Sequence, residues 1–226
     1  MSRTSPMQVY DTLFTAYGPQ HWWPAEKPFE VMVGAILTQN TNWRNVEKAI
    51  ANLKAEKMLD YASIASSNRE KLAELIRPSG FFNQKSERLQ QFSIFYMQHG
   101  KTGGLKKWPK SSLRKKLLGV PGIGPETADS ILLYALDKPV FVVDAYTRRI
   151  FTRLGLLPEK IDYDGIQVFF ENRLTPALSL YQEYHALIVE HAKRHCQTKP
   201  LCEDCPLGNH CPTAKQAHPD EAILTA

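Results

Sequence analysis

Four cysteines, the only ones in the chain, follow the pattern Cys196-x5-Cys202-x2-Cys205-x5-Cys211. A disulfide framework would spread its cysteines through a small secreted domain, so this clustering reads as one metal site in a reducing compartment. Zinc ribbons pair two Cys-x2-Cys knuckles and only one such pair is present, whereas iron–sulfur clusters accept looser, single-loop spacings of four thiolates. The spacing therefore favours an iron–sulfur cluster, with zinc or free thiols as the alternatives. Its job would be structural, tying down the loop at 196–211 and presenting Lys193, Arg194 and Lys199 to phosphate.

A second chemical signal is Val120-Pro-Gly-Ile-Gly-Pro125. Gly122 and Gly124 flank one small apolar residue, which permits a sharp turn with exposed N–H groups, and Pro125 suits the first turn of a following helix. Free amides at a helix N-terminus form an anion site for which phosphate is a natural guest. The plainer alternative is a tight turn between packed helices with Ile123 as a core plug. Asp144 is the third signal. It follows Val142-Val143 and precedes a helix carrying Arg148, Arg149 and Arg153. Taken alone it is an N-cap, contributing roughly 1 kcal/mol.

The elements that must carry these residues are helical nearly throughout. Residues 29–37 (FEVMVGAIL) are almost uniformly apolar, as in a helix surrounded by others. Thr41 or Asn42 can cap the next helix, which runs to about Lys54. Further helices are expected over roughly 57–65, 68–76 and 84–99, with KTGGLKKWPKSS at 101–112 as a loop. A helix from Pro125 to about Leu136 places Ala128, Ile131, Leu132, Ala135 and Leu136 on one face. Others follow Asp144, run from about 165 to 173 and from about 177 to 194. The run PVFVV at 139–143 has the look of a strand without a partner. Two hairpin-like turns, at 76–85 and 117–127, are the only hint of repetition. In the first, Gly80 permits the turn and Lys85 is expected to face solvent.

The net charge of +5, with 43% hydrophobic and 23% charged residues, suits a globular protein and tolerates a polyanionic partner without requiring one. No stretch approaches the ~20 apolar residues of a membrane span, and Met1–Tyr10 lacks the apolar run of a signal peptide. The expectation is a cytoplasmic monomer, nucleoid-associated if bacterial, with no membrane partner.

The string from Leu118 to Ala128 closely resembles the helix-hairpin-helix motif. Followed about twenty residues later by Val-Asp and a basic helix, it resembles the endonuclease III superfamily of base-excision DNA glycosylases, over Phe29 to Cys211. That resemblance implies an all-α fold of two helical lobes with a DNA cleft between them. One lobe, 25–138, is a six-helix barrel ending in the hairpin; the other joins 1–24 to 139–226 and holds the cysteine loop. It makes Asp144 the catalytic carboxylate, which stabilises the positive charge that builds on the sugar as the base departs. It assigns Gly122, Ile123, Gly124 and Thr127, with Lys199, to the DNA backbone, and Gln39 to the gap left by an extruded base. The cysteine spacing is similar to the family's cluster loop, its first interval one residue shorter, and that similarity implies a 4Fe–4S cluster held by Cys196, Cys202, Cys205 and Cys211, with zinc as the alternative. The partner implied is double-stranded DNA containing a damaged base.

Two details bear on the reaction. Strand-cutting members have a lysine just before the Thr-Ala pair, where this chain has Glu126, and a carboxylate cannot form the Schiff base of β-elimination. A monofunctional glycosylase using water is expected. His21-Trp22-Trp23-Pro24 and Thr38-Gln39-Asn40-Thr41-Asn42-Trp43 look most like the 3-methyladenine glycosylase branch. An N-alkylated purine is cationic and already a good leaving group, so it needs a π-rich slot; Trp22, Trp23, Trp43 and Gln39 are the candidate pocket. The alternatives are an endonuclease III-like glycosylase for uracil, mismatched thymine or oxidised pyrimidines with weak lyase activity, and a non-catalytic module that senses damaged DNA.

Overall fold

A computed structural model describes residues 4–217, and among them secondary structure is helical throughout, with no strand. Contacts divide the chain into two compact units, Trp23–Lys138 and the residues up to Trp22 together with those from Pro139 onward.

The first unit is built around α2 (Pro28–Leu37), whose Met32, Val33, Ile36 and Leu37 are fully buried. Such a helix is apolar all round because other helices cover every side. Around it are α3 (Trp43–Ala55), α4 (Tyr61–Ser66), α5 (Arg69–Leu75), α6 (Phe82–Gln98), α7 (Lys101–Lys106), α8 (Lys110–Leu118) and α9 (Pro125–Ser130). Asn42 caps α3, its side chain accepting from the Asn45 amide.

Three expectations change here. Residues 101–106 form α7 rather than a loop, leaving only Lys107–Pro109 before α8. Leu105 is fully buried, and Gly104 comes so close to the preceding turn that a Cβ would lie 2.1 Å from the His99 carbonyl oxygen. Packing outweighs the poor helix propensity of two glycines. The helix begun at Pro125 does not continue unchanged to Leu136: it widens into a π-helical stretch at Ile131–Ala135. The five residues expected on one face are buried, but so are Asp129, Ser130 and Leu133, so this stretch is covered on more than one side.

Lys85 is the third correction. It is fully buried, and its Nζ donates to the carbonyls of Leu37 (2.9 Å) and Ser79 (2.7 Å). Helix ends leave carbonyls without partners, and an ammonium inserted among them satisfies two at once.

The second unit contains α1 (Pro6–Tyr17), α10 (Ala145–Arg153), α11 (Tyr163–Glu171), α12 (Leu178–Arg194) and α13 (Pro212–Ala217). Its core is aromatic: Phe141 stacks on Phe170 at 4.0 Å, and Phe151 and Tyr184 meet Phe170 edge-on. The run at 139–143 is extended and buried but joins no sheet. Its polar groups are met by side chains instead. The Phe141 amide donates to Glu171, its carbonyl accepts from Gln167, and the Val143 amide donates to Tyr163.

Candidate functional site

The hairpin joins α8 to α9. Gly122 has φ +81°, and a Cβ there would lie 2.5 Å from Arg88, so the position requires glycine on two counts. Ile123 is buried, and its amide donates to the Val120 carbonyl, so the turn uses one amide that the sequence suggested would be free. The amides of Gly122 and Gly124 make no backbone hydrogen bond among the described residues. Behind the turn, Arg114 on α8 forms a two-pronged ion pair with fully buried Asp129 on α9 (2.8 and 3.1 Å), stapling the two helices.

Gln39, in the turn between α2 and α3, reaches the hairpin directly. Its Nε2 donates to the Gly122 carbonyl (3.0 Å) and to Thr127 Oγ1 (2.9 Å), while Arg88 donates to its Oε1. Thr127 is buried and its hydroxyl is engaged by Gln39. Four residues from three places in the sequence thus fix one turn. Phe81 stands nearby in sequence at the start of α6: 58% exposed, in the left-handed region at φ +47°. An aromatic side chain held outward on a strained backbone is a recognised mark of functional positions. Arg88 and Arg114 escaped the sequence reading, since their pairings are tertiary and carry no local pattern.

Of the candidate pocket aromatics, Trp23 and Trp43 lie together in the first unit. Trp23 meets Trp43 edge-on at 5.1 Å and Tyr134 at 5.1 Å, all three half-buried, and Gly34 gives Trp23 its space, since a Cβ there would lie 3.1 Å from the indole. Trp43 Nε1 donates to Glu47. Trp22 belongs to the other unit, where the Lys193 ammonium lies 5.8 Å from its ring centre.

Asp144 caps α10. Its Oδ1 accepts from the Thr147 amide (2.6 Å) and hydroxyl (2.7 Å), and its Oδ2 faces His185 Nε2 on α12 at 3.6 Å. The side chain keeps 9% of its surface exposed. Burial pushes this carboxyl up, but His185 and the two Thr147 donors outweigh it and hold the group below the usual aspartate value. Thr147 was legible three residues after the cap; His185 was not, because it lies a long way down the chain.

The other end of α10 holds the cysteine loop. Arg149 donates to the Cys196 carbonyl, and Arg153 to the carbonyls of Gln197 and Thr198 and to Cys196 Sγ (3.3 Å). All four cysteines are free thiols, half-buried, and line one cavity whose walls include Leu154 and Leu207. Burial and the neighbouring thiols push Cys202 up, and burial carries Cys205 to about 11. Metal binding requires such sulfurs to be thiolates, and a metal supplies the positive charge that favours them. No three described His, Cys, Asp or Glu side chains converge tightly enough to hold a single ion. Lys199 is exposed on this loop. No helix among the described residues is long and apolar enough to cross a membrane.

Residues 33–176 match the family described as HhH-GPD superfamily base excision DNA repair protein. A protein of Methanocaldococcus jannaschii, provisionally named a DNA repair glycosylase, is 52% identical over 90% of this chain and 94% of its own length. Endonuclease III of Thermotoga maritima is 34% identical over 81% of this chain and 82% of its own. Among solved structures, 3-methyladenine DNA glycosylase (MagIII) of H. pylori bound to 1,N6-ethenoadenine superposes with a TM-score of 0.73 at 34% identity, covering 84% of this chain and 98% of that one.

Proposed function

The chain belongs to the HhH-GPD superfamily of base excision repair DNA glycosylases, and from that premise we propose that it hydrolyses the N-glycosidic bond of alkylated purines such as 3-methyladenine, with Asp144 as the catalytic carboxylate. The observation that carries the reading is the Asp144 site: an acid kept ionised by Thr147 and His185, with one edge exposed. When the bond breaks, its electron pair goes to the cationic base, which leaves neutral. The sugar becomes an oxocarbenium ion, which the fixed carboxylate stabilises. Water adds to the sugar carbon, and the carboxylate orients it and takes its proton.

The half-buried corner of Trp23, Trp43 and Tyr134 supports the choice of substrate, since a cation over tryptophan gains roughly 0.5–2 kcal/mol. Gly122, Ile123, Gly124 and Thr127 form the turn assigned to the DNA backbone, Lys199 adds a cation on the cysteine loop, and Phe81 is suited to enter the base stack as an apolar wedge. Gln39 serves the gap left by the extruded base, a role that requires it to exchange its hairpin bonds for contacts with DNA. Trp22 completes the proposed set beside Lys193.

Cleavage is hydrolytic. Glu126 occupies the motif position that would need an amine, and Lys85, the buried lysine, is held by two carbonyls. A panel of duplexes bearing single lesions tests the substrate: release of oxidised pyrimidines with retention of alkylpurines would overturn it. Borohydride trapping tests the mechanism, because a covalent protein–DNA adduct requires an attacking amine. The 34% identity to an endonuclease III keeps a second reading in view, oxidised-pyrimidine release with lyase activity, and the same two assays decide for it.

Cys196, Cys202, Cys205 and Cys211 are proposed to hold a 4Fe–4S cluster. Its support is that the four thiols line one shared cavity, as the four ligands of such a cluster would. The cluster supplies positive charge that holds four thiolates together and stiffens the loop. Iron and acid-labile sulfide analysis of purified protein distinguishes it from zinc.

A further inference from the structure

Beneath the cysteine loop, α12 carries His191, which is 1% exposed. Its Nδ1 lies 2.8 Å from the hydroxyl of Tyr17 on α1, and its Nε2 lies 3.8 Å from Cys205 Sγ. Tyr17 is itself fixed. Its ring stacks against His195 with 19° between the planes, Arg194 lies 5.0 Å from its centre, and its carbonyl accepts from Gln20. A line of two residues from two helices, Tyr17 and His191, therefore ends on one of the four sulfurs.

We propose that Tyr17 and His191 form a relay that fixes an N–H on His191 Nε2 and aims it at the Cys205 sulfur, tuning the metal centre. Both residues act as positioning residues. The inference rests on the reading of the four cysteines as cluster ligands. A metal-bound sulfur has no proton and only accepts, so the nitrogen facing it must donate. In a neutral imidazole the other nitrogen is then an acceptor, which makes the Tyr17 hydroxyl its donor. Partners of this kind set ring orientation and tautomer around metal ligands. A hydrogen bond to a ligand sulfur draws electron density from it and favours the reduced form of the centre. Arg153, 3.3 Å from Cys196 Sγ, acts in the same sense on a second sulfur, but its carbonyl contacts make it a poorer probe.

The test uses the full-length protein purified with its metal. Iron and sulfide are assayed first, and reversible one-electron oxidation is then followed by absorption and electron paramagnetic resonance at controlled potential. His191→Leu should retain iron yet show a several-fold higher oxidised-to-reduced ratio at a fixed potential, with faster bleaching in air. His191→Gln, which keeps a side-chain N–H for the sulfur, should stay close to the parent protein. Tyr17→Phe, which preserves packing, should move the ratio in the same direction by less. An iron-loaded His191→Leu or Tyr17→Phe protein with an unchanged ratio would overturn the relay while leaving the cofactor reading intact. Should His191→Leu fail to fold, Tyr17→Phe decides alone. A parent protein without iron and sulfide overturns both.

Discussion

The hairpin at 119–125 and the loop at 196–211 are both irregular segments proposed to handle DNA, yet they are held in different ways. The hairpin is secured by protein atoms alone: Arg88 fills the space over Gly122, Gln39 bonds its carbonyl, Ile123 plugs the core, and Arg114 with Asp129 locks its helices. The cysteine loop is held from outside by two arginines on its carbonyls, and four thiols face a shared cavity. The first segment is finished by folding, while the second, on the reading above, is finished by its cofactor. Stability and metal content should therefore be separable in experiment.

The sharpest way to break the contrast is to alter the group served by both helices of the loop's support. Asp144→Asn keeps an N-cap of nearly equal quality. It should lower base release by at least about 100-fold in single-turnover assays, while duplex binding stays within a few fold. Parallel loss of binding would mean that the residue is architectural. Next in size is Cys202→Ser, expected to abolish iron retention and to expose 197–210 to proteolysis. The helices of the hairpin unit should keep their amide-exchange protection.

Gly122→Ala strikes the other segment. The left-handed backbone and the approach of Arg88 together should cost about 1–3 kcal/mol, read as a lowered Tm and weaker duplex binding with iron content unchanged. The smallest effect concerns Lys85, whose pKa burial, with help from Arg88, lowers from 10.5 to about 8. Between those values the unfolded chain holds a proton that the folded chain has released, so this group makes stability rise with pH across that window. Lys85→Met should flatten the rise in denaturant titrations at pH 8 and 10, at the expense of two unpaired carbonyls.

The same two segments show what a sequence exposes. Gly-Ile-Gly-Pro, the Asp144 cap with Thr147 and the cysteine spacing are local patterns, so the turn, the helix start and the shared cavity were all readable. The helix at 101–106 was not, because burial of Leu105 and the approach of Gly104 to His99 overrule composition. Lys85 was misplaced for the same kind of reason. A lysine in a polar stretch gives no sign that two helix ends await it. His185, Arg88 and His191 find their partners only once distant helices pack, and nothing near them in sequence announces those partners.

Nine residues separate function from anchorage in α10, a strut of about 13 Å at 1.5 Å per residue. Asp144 caps one tip; Arg149 at the middle and Arg153 at the far end bolt the helix to the loop of Cys196. With Asp144 proposed as the reacting carboxylate, damage to that loop is expected to travel along α10 and to surface as slow chemistry.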